Sequence, residues 1–106
     1  GGGFLPYQAG RFIHGWNVRP EPKQFLERGP AESLGRIYYD TILHSDGTLQ
    51  FLIGSVGAGR VMLGSDYPFD MGYYEGVRQV RSLAIPECDQ ELILGETART
   101  LLGMAS

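Results

Sequence analysis

Two hydrophobic rhythms run along the chain, one at helical spacing and one made of short apolar runs. Between residues 4 and 18 the apolar positions Leu5, Tyr7, Ala9, Phe12, Ile13 and Trp16 recur at loosely helical intervals, with Gly10 and Gly15 interrupting them. A short, imperfect helix is predicted there. Residues 19–29, RPEPKQFLERG, place two prolines in the first four positions, which block regular hydrogen bonding and predict an extended surface loop. One helical turn is expected over residues 30–34, with Pro30 at its first position and Gly35 as its stop. The run RIYYDT, residues 36–41, is β-branched and aromatic and reads as a strand.

Ser45 and Asp46 suit a helix N-cap, and Leu49, Leu52, Ile53 and Val56 repeat at i, i+3, i+4 and i+7 before Gly57 and Gly59. Residues 60–65 form the second predicted strand, and the unbroken Val61, Met62 and Leu63 imply burial on both faces. A further helix is expected to carry Tyr74, Val77, Val80 and Leu83 on one face. Pro86 opens another that Gly95 should terminate, and residues 96–102 close the chain with Ala98, Leu101 and Leu102 turned inward. This order is βαβα, which favours parallel strands joined by a right-handed crossover. Two strands leave too many backbone groups unpaired to stand alone, so the α/β chain reads as the end of a larger barrel or sheet.

The 106 residues carry a formal charge of −3, and the nine basic side chains are scattered, which argues against nucleic acid or an anionic membrane as partner. A single cysteine, Cys88, excludes an internal disulfide and fits a reducing compartment. No apolar run is long enough to span a bilayer and the opening residues do not resemble a signal peptide, so a cytoplasmic location is expected. The start on Gly1–Gly2–Gly3, without Met, predicts that residues 1–106 are one partial domain of a longer protein. Those glycines lack a Walker lysine and a dinucleotide fingerprint, and close backbone approach explains them better than a phosphate cradle.

In parallel α/β folds the chemistry gathers at the C-terminal ends of the strands. That rule places Asp40, Thr41 and His44 on one side of a rim and Ser65, Asp66 and Tyr67 on the other. Asp66, in RVMLGSDYPFD, is the strongest candidate, because a carboxylate at the end of a buried strand needs hydrogen bonds or a cation. On the motif alone a metal ligand and a simple Asx turn before Pro68 stand level. Asp40 is explained as well by a strand-end turn. His14 and His44 fit no helical ligand pair; His44 follows the first strand, where a substrate contact is one reading and a solvated or capping histidine the better supported one, and His14 reads as structural too. Tyr67, Phe69 and Tyr73 suit either an aromatic wall or rim packing. Cys88 has no basic neighbour to activate it, and Arg78, Arg81, Glu87 and Glu91 read as a solvated helix face.

Taken together, GGGFLPYQAGR, GRVMLGSDYPFDMG and ILGETARTLLG resemble the C-terminal part of the amidohydrolase-related family (amidohydrolase 2) of metal-dependent enzymes, typified by aminocarboxymuconate-semialdehyde decarboxylase. The resemblance implies a C-terminal fragment of a TIM-type (β/α)8 barrel, comprising the last two βα units and the C-terminal helices. It implies that Asp66 binds a catalytic divalent metal, zinc in the usual case. It also implies that Arg11 reaches a neighbouring subunit to hold a substrate carboxylate, making the whole enzyme a homodimer. The other metal ligands and the acid–base histidine of the family lie outside these residues, so the chain by itself is expected to be inactive. The leading expectation is decarboxylation of an unsaturated or aromatic carboxylic acid. Metal-dependent hydrolysis of an amide, lactone or other carbonyl compound is the alternative, and a non-catalytic interaction module is the third reading.

Overall fold

A computed structural model describes residues 1–104 of the chain as two compact units, one of residues Gly2–Ile37 and one of Gly1 with the residues from Tyr38 onward. In the first, α1 runs unbroken over Leu5–Val18. Gly10 and Gly15 do not divide it. Neither has the left-handed backbone that stops a helix, and each glycine lowers helix stability by only about 1 kcal/mol. The helix ends where Arg19 turns extended (φ −123°, ψ 140°), as the residue before Pro20 must. The proline-rich loop is more regular than expected. Glu21–Gln24 close one 3-10 turn, with Pro22 in the first positions, where its missing N–H costs nothing. The predicted turn over Pro30–Leu34 forms as α2, and Glu32 accepts hydrogen bonds from Arg28 (2.7 Å) and Arg36 (3.0 Å). Both pairs are exposed and stabilise the turn by only a few tenths of a kcal/mol.

The second unit holds β1 (Tyr39–Asp40), α3 (Asp46–Val56), a 3-10 turn (Ala58–Arg60), β2 (Val61–Met62), α4 (Gly76–Ser82), α5 (Glu87–Glu91), a π-helical turn (Leu92–Glu96) and α6 (Thr97–Leu101). The strands are parallel, with Tyr39 opposite Val61 and Asp40 opposite Met62. The βαβ reading therefore holds, but both strands are much shorter than the predicted residues 36–41 and 60–65. A ladder extends only as far as a partner does, and each of these strands has only the other among the described residues. Ser45 caps α3 as expected, its Oγ accepting from Thr48 N at 3.3 Å, a contact that contributes about 1 kcal/mol. Leu49, Leu52 and Ile53 turn inward from α3 and are buried, as are Val61, Val80 and Ile93.

Several inward faces differ from expectation. Met62 is half-buried and Leu63 is 36% exposed, so β2 is not covered on both faces. Tyr74 lies outside α4 and is exposed, as is Val77, while Val80 and Leu83 are buried as predicted. Gly95 does not end a helix; it sits inside the π turn that joins α5 to α6. The wider i→i+5 step of that turn lags behind the 3.6-residue spacing. Hence Ile93 and Thr97 face the core, and Leu101 and Leu102 are exposed rather than inward. Ile93 O accepts from Leu63 N at 2.9 Å, tying the π turn to the residue after β2. Among the described residues no helix is long and apolar enough to cross a membrane.

Leu49→Ala empties a fully buried site and is expected to destabilise the folded protein by about 2–5 kcal/mol, whereas Leu102→Ala should stay within roughly 0.5 kcal/mol. Urea unfolding of the two variants beside the parent checks both values.

Candidate functional site

Parallel pairing of β1 and β2 sends the loops that follow them to the same rim, and three contacts bind those loops together. The first comes from Thr41, wholly buried, whose Oγ1 accepts from Gly64 N at 3.2 Å, continuing the β1–β2 pairing one step beyond the ladder. Close approach explains the glycine, since a Cβ at Gly64 would lie 3.2 Å from Asp40 Cβ. The second is a hydrogen bond from His44 Nε2 to Met71 O at 2.7 Å. A carbonyl only accepts, so Nε2 carries the proton. The third is the edge-on packing of the His44 ring against Tyr73, with centroids 5.4 Å apart. His44 adopts φ +56°, which swings its side chain across to the second loop.

The loop over residues 65–73 is closed at its neck by Tyr73 N donating to Ser65 O at 2.8 Å. Inside it Phe69 N donates to Asp66 O (2.9 Å) and Gly72 N to Phe69 O (3.0 Å). Ser65 Oγ accepts from Tyr67 N at 3.3 Å, and the Tyr67–Pro68 peptide is cis. Gly72 is forced by space. A Cβ there would stand 2.8–2.9 Å from Tyr74 Oη, Phe69 O and Ser65 O.

Asp66 is held on the outer surface of this loop at φ +58°, a left-handed conformation that Asp tolerates better than most residues. Its backbone carbonyl takes part in the turn, and its carboxylate is exposed. The Asx-turn reading therefore loses ground, because the hydroxyl of Ser65, not the carboxylate of Asp66, caps the turn. Asp40 does behave as a strand-end turn residue, its Oδ1 accepting from Ile42 N at 2.9 Å. Gly1 lies at the same rim, its nitrogen 2.5 Å from Asp40 Oδ1, and a side chain on it would collide with Leu43. Tyr67 and Phe69 are exposed on the loop, with Tyr67 edge-on to Tyr74 at 6.4 Å.

Among the described residues no three His, Cys, Asp or Glu side chains gather closely enough to hold a metal ion. The donor chemistry fits one ligand and no more. Asp66 offers a free carboxylate at the rim, while His44 has one ring nitrogen committed to Met71 O. Arg11 belongs to the first unit, exposed on α1 beside an open groove of about 700 Å³ that Phe12, His14, Trp16 and Arg19 also line. Sequence reasoning placed His44 at the rim but missed its tie to the second loop. The acceptor is a backbone carbonyl, which the identity of Met71 does not reveal.

The chain is 34% identical to a 2-amino-3-carboxymuconate-6-semialdehyde decarboxylase of Dictyostelium discoideum over 106 residues, 98% of this chain and 30% of that protein. Its relatives are decarboxylases. The Caenorhabditis elegans enzyme of the same name is 40% identical over 81 residues, covering 76% of this chain and 20% of that protein. The chain thus spans between a fifth and a third of the length of the curated relatives it matches. No family model matches it. A crystal structure of a dihydroxybenzoic acid decarboxylase from Polaromonas sp. JS666, with bound manganese and the inhibitor 2-nitroresorcinol, superposes with a TM-score of 0.76 at 23% identity, over 96% of this chain and 31% of that one. Likeness at that identity shows the fold, here a mixed α/β piece of the kind found in barrel decarboxylases.

Asp66→Asn keeps the left-handed backbone favourable and should leave thermal stability nearly unchanged, whereas Asp66→Val is expected to cost about 1–3 kcal/mol. Melting curves of the two variants check this difference.

Proposed function

We propose that residues 1–106 are the last two βα units and C-terminal helices of a (β/α)8 domain in a longer metal-dependent decarboxylase. Its substrate class is unsaturated or aromatic carboxylic acids. The observation that carries this reading is a decarboxylase relative aligned along 98% of the chain, together with an uncommitted carboxylate at the strand-end rim. Asp66 contributes one anionic oxygen ligand to a divalent metal. A catalytic site takes about three protein ligands, so the others come from residues outside this chain. Zinc is the first candidate for the ion, and manganese, present in the Polaromonas structure, is the second.

When bound, the ion supplies Lewis acidity and lowers the pKa of the water it holds. The chain's own residues bind and orient. The guanidinium of Arg11 forks around a substrate carboxylate contributed to a neighbouring subunit's site, which makes the working protein a homodimer. Asp66 holds the reacting end in register with the rim. In the reaction the substrate carbon first takes a proton from an acid outside these residues; the carbon–carboxylate bond then breaks, its electron pair staying with the substrate and restoring the unsaturation that protonation removed, and neutral carbon dioxide leaves. The chain's negative net charge and scattered basic residues fit a small-molecule partner rather than nucleic acid or a membrane. A cytoplasmic setting agrees with the lone cysteine.

The test uses the full-length protein and a panel of aromatic and unsaturated acids beside lactones and amides. Carbon dioxide release that disappears on chelation and returns with zinc or manganese is the expected outcome, and Asp66→Asn should lower both metal content and turnover by at least about 10-fold. Hydrolysis without carbon dioxide release would transfer the site to the hydrolase reading. A protein that neither retains metal nor turns over any of these compounds would favour an interaction module. Mixing inactive Asp66→Asn and Arg11→Ala subunits should restore part of the activity if Arg11 acts across the dimer. The 106-residue chain alone is expected to be inactive.

A further inference from the structure

Between the two rim loops, His44 occupies a position that direct contact with substrate does not explain. It follows β1 by four residues, adopts φ +56°, donates from Nε2 to Met71 O at 2.7 Å, and rests its ring on the Tyr73 edge. Met71 and Tyr73 lie on the returning limb of the 65–73 loop, whose outgoing limb carries Asp66. The neck bond from Tyr73 N to Ser65 O and the turn bonds from Gly72 N to Phe69 O and from Phe69 N to Asp66 O couple the limbs, so a constraint on the return side reaches Asp66 through three backbone hydrogen bonds. Among the described residues, the other hydrogen bonds of residues 65–73 described above, apart from Gly64 N to Thr41 Oγ1 beside the neck, are internal to the loop or close its neck. His44 is the side chain that ties its far limb to the neighbouring βα unit.

We propose that His44 is a positioning residue, a latch whose imidazole N–H holds the loop so that the Asp66 carboxylate stays in place for a divalent cation. The latch reading rests on Asp66 being a metal ligand, and it replaces substrate binding as the role of His44. The physical argument is preorganisation. An exposed loop residue in a left-handed conformation samples other geometries unless its surroundings over-determine it, and each such departure removes one ligand from the cation. A hydrogen bond from a ring that is itself packed against an aromatic neighbour confines the loop at little further entropic cost. The effect belongs to the class of outer contacts whose loss lowers metal affinity or activity by about 10–100-fold.

The experiment takes the full-length protein as parent and as His44→Phe, His44→Gln and Asp66→Asn variants. Phe keeps a ring beside Tyr73 but has no donor; Gln restores an N–H at similar reach; both share the same backbone cost at φ +56°. Metal affinity is measured by competition for Mn²⁺ and Zn²⁺ against a chromophoric chelator, steady-state kinetics give kcat and KM, and amide hydrogen exchange is followed at Phe69 and Tyr73. His44→Phe should bind metal about 10-fold or more weakly, lower kcat with KM unchanged, and exchange faster at both amides. His44→Gln should recover most of each loss. A raised KM with unchanged metal affinity and exchange would overturn the latch in favour of a substrate contact. Equal losses in Phe and Gln variants with a common drop in melting temperature would reduce His44 to a structural residue and also overturn it. Metal retained by Asp66→Asn would instead defeat the metal-ligand reading. In that event faster exchange in His44→Phe, rescued by Gln, would still support the mechanical latch, and unchanged exchange would end it.

Discussion

Pairing of two very short parallel strands is the constraint on which the second unit depends. Tyr39 opposite Val61 and Asp40 opposite Met62 fix the register. In a parallel pair both strands end at the same edge, so register alone brings the residues after Asp40 beside those after Met62. A slip by one residue would turn Val61 out of the core and carry Asp66 to the wrong side of the rim. The register is protected by burial, since Val61, Leu49, Leu52 and Ile93 all lie within it, and it is extended by the Thr41 hydroxyl on Gly64 N.

From that edge outward, the rim is organised by backbone geometry more than by charge. Gly64 permits close approach to Asp40, and Gly72 allows Phe69, Ser65 and Tyr74 to surround the neck of the loop. The Ser65 hydroxyl serves the turn, which leaves the Asp66 carboxylate free. A residue type well suited to capping is therefore excused from it by its neighbour. Asp40 stands in contrast within the same unit, its Oδ1 accepting from Ile42 N.

Much of this was legible beforehand, where local chemistry decides. The Ser45 cap, the α3 stripe, the one-turn helix at Pro30 and the parallel βαβ order follow from side-chain type and spacing, and they hold. Periodicity failed where it assumed an unbroken 3.6-residue helix. After the π turn at Leu92–Glu96 the inward face shifts, so Leu101 and Leu102 are exposed, Thr97 is buried and Ala98 is half-buried. Gly95 does not end its helix, and Gly10 and Gly15 interrupt the apolar spacing of α1 without breaking it, because a penalty of about 1 kcal/mol does not stop a helix that keeps its hydrogen bonds on either side.

By itself the sequence determined the α/β class, the rim candidates and the resemblance to metal-dependent decarboxylases, because motifs such as LGSDYPF and the helix caps are local and carry their chemistry in residue type. Only the tertiary structure decided the length of the strands, the register of the last helix, and the tie between His44 and Met71 O. The strand pairing joins residues 22 apart and the His44 tie residues 27 apart, and each uses a backbone carbonyl, which is the same in every residue. No pattern of side chains can announce where it will find its donor.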